Sequence, residues 1–129
     1  MAKIIILNNP VAGMVPEMRS LAGLHTVEFV GTTGSLMSSL KLATPDVIII
    51  NVVLKDDDGR KVSKMLETES VHGQIPVILV SPYYHTDSEI RSFCCDELLS
   101  MPLESGILSA SVAMLIAKRA ARASRTEKA

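Results

Sequence analysis

The side chains able to do chemistry sit where apolar runs end. Asn8 and Asn9 follow Ile6-Leu7, Asn51 follows Val47-Ile48-Ile49-Ile50, and Ser81 follows Val77-Ile78-Leu79-Val80. Ser81 with His85 four residues on has the makings of a nucleophile and its base, yet no third residue and no nucleophile-elbow motif accompany the pair. Asp56-Asp57-Asp58 offers three carboxylates, but their spacing does not fit a calcium loop, and Gly59 behind them suits a tight turn into a helix. A solvated turn is the expectation there, with metal binding or a substitute acceptor as alternatives. His25, His72 and His85 lie far apart in different loops and do not read as a ligand set. Gly31-Thr32-Thr33-Gly34-Ser35 lacks the Gly-Lys-Ser/Thr ending of a phosphate-cradling loop.

Short buried strands are needed to bring such residues together, and the pattern supplies five. Ile4-Ile5-Ile6-Leu7 reads as a strand buried on both faces. A loop over 10–13 leads to a helix over 16–24, with Pro16 in its first turn. A second strand covers 27–30, and Thr33 or Ser35 caps a helix on which Leu36 and Leu40 share a face. Pro45 opens the third strand, ending near Asn51; Val62, Met65 and Leu66 mark a third helix that ends before Gly73. Pro76 leads the fourth strand into the loop Ser81-Pro82-Tyr83-Tyr84, and a short helix over 88–94 carries Ile90 and Phe93. Leu98-Leu99 forms a brief fifth strand before a long last helix from Ile107 to about Ala121. Alternating strands and helices imply a parallel sheet wrapped on both faces through right-handed crossovers.

A chain of 129 residues, 47% of them apolar, fits one compact domain with a core of its own. Aromatics are 3% with no Trp, so Ile, Val, Leu, Ala and seven Met fill that core and no base-stacking surface is expected. The net charge of -1 is unevenly placed: Lys118, Arg119, Arg122, Arg125 and Lys128 face Glu127 alone in the last twelve residues. The domain is read as 1–121 with a basic tail over 122–129, whose charges suit the end of a helix better than nucleic acid. Cys94 and Cys95 are adjacent, which disfavours an unstrained disulfide; buried small hydrophobes in a reducing cytoplasm is the expectation. Met1-Ala2-Lys3 leads straight into strand-like sequence, so no signal peptide is expected. The strongest apolar stretch, 47–54, is broken by Asn51 and too short to span a membrane.

Pro45-Asp46, the run over 47–50, Asn51 and the following segment to Asp58-Gly59 resemble the third strand and loop of response-regulator receiver (CheY-like) domains. The family pattern there is P-D, four apolar residues, then D-x-x-M-P-x-x-D-G. The resemblance runs along nearly the whole chain and implies a flavodoxin-like doubly wound sheet of five parallel strands, order 2-1-3-4-5. It also implies a vestigial phosphorylation pocket. Asn8 and Asn9 stand for the family's acidic pair, Asn51 for the phosphoacceptor aspartate, and Ser81 for the Thr or Ser ending the fourth strand. Leu99-Ser100-Met101-Pro102-Leu103 resembles L-T-K-P-F, with Met101 in the lysine's place, and Leu98 takes the switch aromatic's position. Cys95-Asp96-Glu97 resembles the A-D-D that usually comes before.

These exchanges remove the family's chemistry. Mg²⁺ seeks anionic oxygens, which amides do not supply, and Met101 neither donates nor carries charge. An amide oxygen is a poor nucleophile beside a carboxylate. No metal, cofactor or catalytic activity is therefore expected, and a pocket without crowded carboxylates needs no ion to hold it. The resemblance points instead to a pseudo-receiver that binds a protein partner, or a second copy, through the fourth helix, fifth strand and last helix. Tyr83, Tyr84, Leu98, Leu103, Val112 and Leu115 are the expected contact residues. The rival readings are a small-molecule or anion sensor at the vestigial pocket, an enzyme using Ser81 or the 56–58 loop, and a fragment of a longer regulator.

Overall fold

The computed structural model describes residues 2–8, 16–55, 57–69, 74–101, 103 and 106–128, with backbone alone for 16, 17 and 122–128. Five strands form the centre: β1 (Lys3–Leu7), β2 (Thr26–Val30), β3 (Val47–Asn51), β4 (Val77–Ser81) and β5 (Glu97–Ser100). All are parallel, in the order β2-β1-β3-β4-β5. Around them lie α1 (Pro16–Ser20), α2 (Thr33–Leu42), α3 (Gly59–Thr68), α4 (Asp87–Ser92) and α5 (Ile107–Lys128). This is the flavodoxin-like architecture expected from the alternating pattern.

Period-two alternation divides the sheet between two cores. Ile4, Ile6, Val47, Ile49, Ile78 and Val80 point to one face, where Met18, Leu108, Val112 and Leu115 from α1 and α5 cover them. Ile5, Leu7, Ile48, Ile50 and Leu79 point to the other, against Leu36 and Leu40 of α2 and Val62 and Leu66 of α3. Because both faces are covered, the central strands read as unbroken apolar runs. Burying each of these side chains contributes roughly 1.5–3 kcal/mol.

Local boundaries differ from the sequence pattern in instructive places. The first helix stops at Ser20 and tightens into a single 3₁₀ turn over Leu21–Gly23, with the Leu24 amide donating to the Leu21 carbonyl at 3.0 Å. Thr32, not Thr33 or Ser35, caps α2 by accepting from the Ser35 amide at 3.0 Å. The loosely phosphate-like segment 31–35 is therefore a cap and a first helical turn. The last helix continues past Ala121 through Lys128, a stretch that contains neither Gly nor Pro to stop it. Gly106, just before it, has φ of +82°, a conformation that favours glycine.

Candidate functional site

Register alone brings the key amides together. Leu7 pairs with Ile50, so the next residues along these strands, Asn8 and Asn51, lie side by side at the carboxyl end of the sheet. Asn51 Nδ2 donates to Asn8 Oδ1 at 2.8 Å, and Asn51 Oδ1 accepts from the Val53 amide at 3.0 Å. Asn51 is fully buried and Asn8 nearly so. In such a place an unmet polar group costs about 1–3 kcal/mol, and here the Asn51 side chain is bonded through both of its ends. Asn9 lies outside the described residues.

The loop after β3 is clamped over this pair by a close approach. The Gly59 amide donates to the Val52 carbonyl at 2.9 Å, and a Cβ at Gly59 would sit 2.3 Å from the Asn51 carbonyl oxygen. Gly59 is thus required for proximity to the β3 backbone. Asp58 caps α3 and pairs with Arg60 at 2.6 Å; this guanidinium contact holds the Asp58 carboxyl below its ordinary range. Asp57 accepts from the Thr33 hydroxyl at 2.8 Å and from the Asp58 amide at 2.8 Å. Asp57 thus ties the loop to α2 and Asp58 ties it to α3; Asp56 lies outside the described residues.

At the end of β4 the geometry adds a residue that the sequence pattern did not single out. Ser81 Oγ lies 2.7 Å from His85 Nε2, and His85 Nδ1 lies 3.4 Å from Glu89 Oε2. The pairing Ser81–His85 is therefore completed by a third member, Glu89, on α4. The signal available in the sequence was the spacing of four and four, hidden because it crosses from strand through loop to helix. The arrangement has the bonding order of a hydrolytic triad but no open face: Ser81 is fully buried and its oxygen already accepts from the Tyr83 amide at 3.1 Å. Phe93 packs edge-on against the imidazole, with centroids 5.0 Å apart. Thr86 and Glu89 form a capping box, and hydrogen bonds from the Thr86 backbone, then from His85, hold the Glu89 carboxyl below its ordinary value.

The remaining site residues separate. Ser81 pairs with Ser100 across β4 and β5, and the Met101 amide donates to the Ser81 carbonyl at 2.7 Å. Met101 is partly buried against the α1/α5 core. Tyr83 and Tyr84 stand out from the surface, 58% and 92% exposed. Leu103, Val112 and Leu115, expected on an interaction face, are instead core residues at 9%, 0% and 4% exposure. Spaced at i, i+4 and i+7, Leu108, Val112 and Leu115 form the single stripe with which α5 covers the sheet. The apolar surplus on that helix is Ile107 and Met114, each 38% exposed. Leu98 is half-buried against the α3 side.

Two further features complete the description. Cys94 and Cys95 are free thiols, partly rather than fully buried. They line a cavity of about 160 Å³ with Ser63, Leu66, Glu67 and Asp96. The Glu67 carboxyl raises the Cys94 thiol, and burial pushes Cys95 up to about 11. At the opposite end of the sheet from the amide pair, the Ala2 amide donates to His25 Nδ1 at 3.2 Å; His72 lies outside the described residues. Among the described residues no three His, Cys, Asp or Glu side chains gather as a metal site would need, and no helix is long and apolar enough to cross a membrane.

Receiver domains imply a bound Mg²⁺. The described residues at these strand ends do not fit it: Asn8 and Asn51 offer neutral amides already hydrogen-bonded to each other and to backbone.

No family model matches the chain, and no curated protein matches it. Its fold is nonetheless that of solved receiver domains. The receiver domain of a signal transduction histidine kinase from Syntrophus aciditrophicus superposes with a TM-score of 0.76 at 24% identity, covering 92% of each chain. A CheY-like response regulator receiver domain protein from Methanospirillum hungatei gives 0.79 at 13% identity, covering 95% of this chain and 98% of that one. The receiver domain of a Francisella response regulator gives 0.78 at 17% identity, over 92% and 98%. The class is a flavodoxin-like α/β domain, and within it the chain has the receiver-domain fold of two-component systems.

Proposed function

We propose that this chain is a pseudo-receiver: a signalling module of the two-component type that acts through protein contacts without being phosphorylated. The buried Asn51–Asn8 hydrogen bond carries the reading. It occupies the place where receiver chemistry needs a free carboxylate and a metal, and it satisfies itself. With no phosphorylation cycle, the surface offered to a partner is set by the fold. Tyr83 and Tyr84, together with Ile90 at 40% exposure, are the apolar residues left outside on the α4 side. Large aromatic side chains of this kind are good anchors at interfaces. Free cysteines with raised thiols fit a reducing compartment, the cytoplasm.

The test is an amide NMR titration with Mg²⁺ and then beryllofluoride. Unmoved resonances at Asn8, Asn51 and Ser81 are expected. Saturable shifts confined to those residues would replace the reading with that of a pocket responsive to ions.

A further inference from the structure

The Ser81–His85–Glu89 chain can be bonded in either direction, according to which imidazole nitrogens carry protons. The Tyr83 amide donates to Ser81 Oγ at 3.1 Å, so the serine proton must point elsewhere. With the imidazole neutral and Nδ1–H facing the Glu89 carboxylate, Nε2 is the acceptor at 2.7 Å and every group is satisfied. The other acceptor within reach is the Tyr83 carbonyl, at 3.5 Å. That is the limit of a hydrogen bond, and a movement of the Tyr83 backbone towards Ser81 would shorten it.

We propose that this chain is a protonation switch: uptake of a proton by His85 turns the Ser81 hydroxyl onto the Tyr83 carbonyl and repositions the Tyr83–Tyr84 segment. A solvent acid gives its proton to Nε2. The new Nε2–H then donates to Ser81 Oγ, and the Ser81 O–H, displaced from Nε2, finds the Tyr83 carbonyl. Nothing else is consumed. Histidine is the side chain whose ordinary charge change falls between about pH 5 and 8, and His85 is only 8% exposed, so the change of charge is felt by the groups that enclose it.

The charged groups facing the imidazole among the described residues are few. Glu89 on α4 lies with Oε2 at 3.4 Å from Nδ1. From α3, Arg60 sits over the Phe93 ring at 5.7 Å and faces Glu89, competing for that carboxylate while it pairs with Asp58. The strand β4 contributes Ser81, which is uncharged.

The switch concerns loop conformation; its consequence for partner binding rests on the interaction reading above, and the experiment reads the loop alone. Wild-type protein, Ser81→Ala and His85→Gln are followed by NMR from pH 5 to 8. In the wild type, the Tyr83 and Tyr84 amides are expected to move with the same midpoint as the His85 ring proton. In Ser81→Ala the ring still titrates while those amides stay fixed, because the hydroxyl that relays the change is gone. In His85→Gln the amides also stay fixed, which removes His25 and His72 as sources. Tyr83 and Tyr84 amides that hold still as wild-type His85 titrates, or that keep moving in Ser81→Ala, overturn the proposal whether or not a partner is ever found.

Discussion

Replacing Asn51 with aspartate supplies the carboxylate that receiver chemistry uses, and the structure argues against its being phosphorylated. The side chain is fully buried and its Nδ2 donates to Asn8 Oδ1 at 2.8 Å. In Asn51→Asp that donor becomes a second acceptor, so with the Asn8 amide held as it is two oxygens face each other at hydrogen-bond distance while the bond from the Val53 amide survives. Losing the bond and leaving buried acceptors unmet costs about 1–3 kcal/mol, and the buried charge adds to it until the carboxyl protonates. A net loss of about 3 kcal/mol at pH 7 corresponds to a fall in Tm of about 10 °C for a chain of this size. Burial raises the introduced carboxyl above its unfolded value. Its stability is therefore greatest below the unfolded value, where it can donate to Asn8, and is lost as pH rises through the folded one. The Tm gap to wild type should accordingly widen from pH 4 to pH 7. Incubation with acetyl phosphate and Mg²⁺, read by intact mass, should show no phosphoryl adduct, because Asn8 is neutral and Met101 cannot neutralise phosphoryl oxygens. A substantial adduct, or a Tm equal to wild type at pH 7, would refute the reasoning.

Gly59→Ala should cost about 3 kcal/mol by urea denaturation, since its Cβ would meet the Asn51 carbonyl oxygen at 2.3 Å and the Val52 Cα at 2.8 Å, backbone atoms that cannot swing aside. An unchanged midpoint would show that the loop has slack. Val112→Ala should lower stability by about 2 kcal/mol, as expected for a side chain with no exposure; a variant of wild-type stability would return Val112 to the surface. Cys95, pushed up to about 11 from 9.0, should react with iodoacetamide at pH 8 about 100-fold more slowly in the folded protein than in urea, with the folded rate climbing towards pH 11. Equal rates at pH 8 would contradict the burial. The same shift makes the thiol's contribution to stability complete below pH 9 and lost as pH rises through 11.

The sheet was readable because each central strand is covered on both faces, which demands the unbroken Ile and Val runs that a reader sees first. The register that unites Asn8 with Asn51 is seen in the β1–β3 pairing itself. The face of α5 was harder. Its apolar residues exceed one stripe, and sequence does not tell which belong to it; Leu108, Val112 and Leu115 went to the core and left Ile107 and Met114 outside. The α2 cap was ambiguous because Thr32, Thr33 and Ser35 all carry hydroxyls, and only backbone conformation chooses among them. Glu89 escaped notice for a different reason. A helical spacing cannot be read across a strand end and a loop, so the partner of His85 became visible only in three dimensions.

The two polar clusters at the strand ends differ in what can disturb them. Around Asn51 the hydrogen bonds join amides, side-chain and backbone, none of which changes protonation in ordinary conditions, so that half of the site keeps one arrangement. Around Ser81 the chain of bonds ends on an imidazole and a carboxylate, and its direction depends on a single proton. On the proposed reading, this receiver-like fold would be sensitive on one side only. That side carries the exposed Tyr83 and Tyr84, two and one residues before His85. Freezing the loop with Ser81→Ala while leaving the amide pair intact separates the two halves. A partner that contacts the tyrosines should lose the pH dependence of its affinity in that variant and keep its affinity at neutral pH.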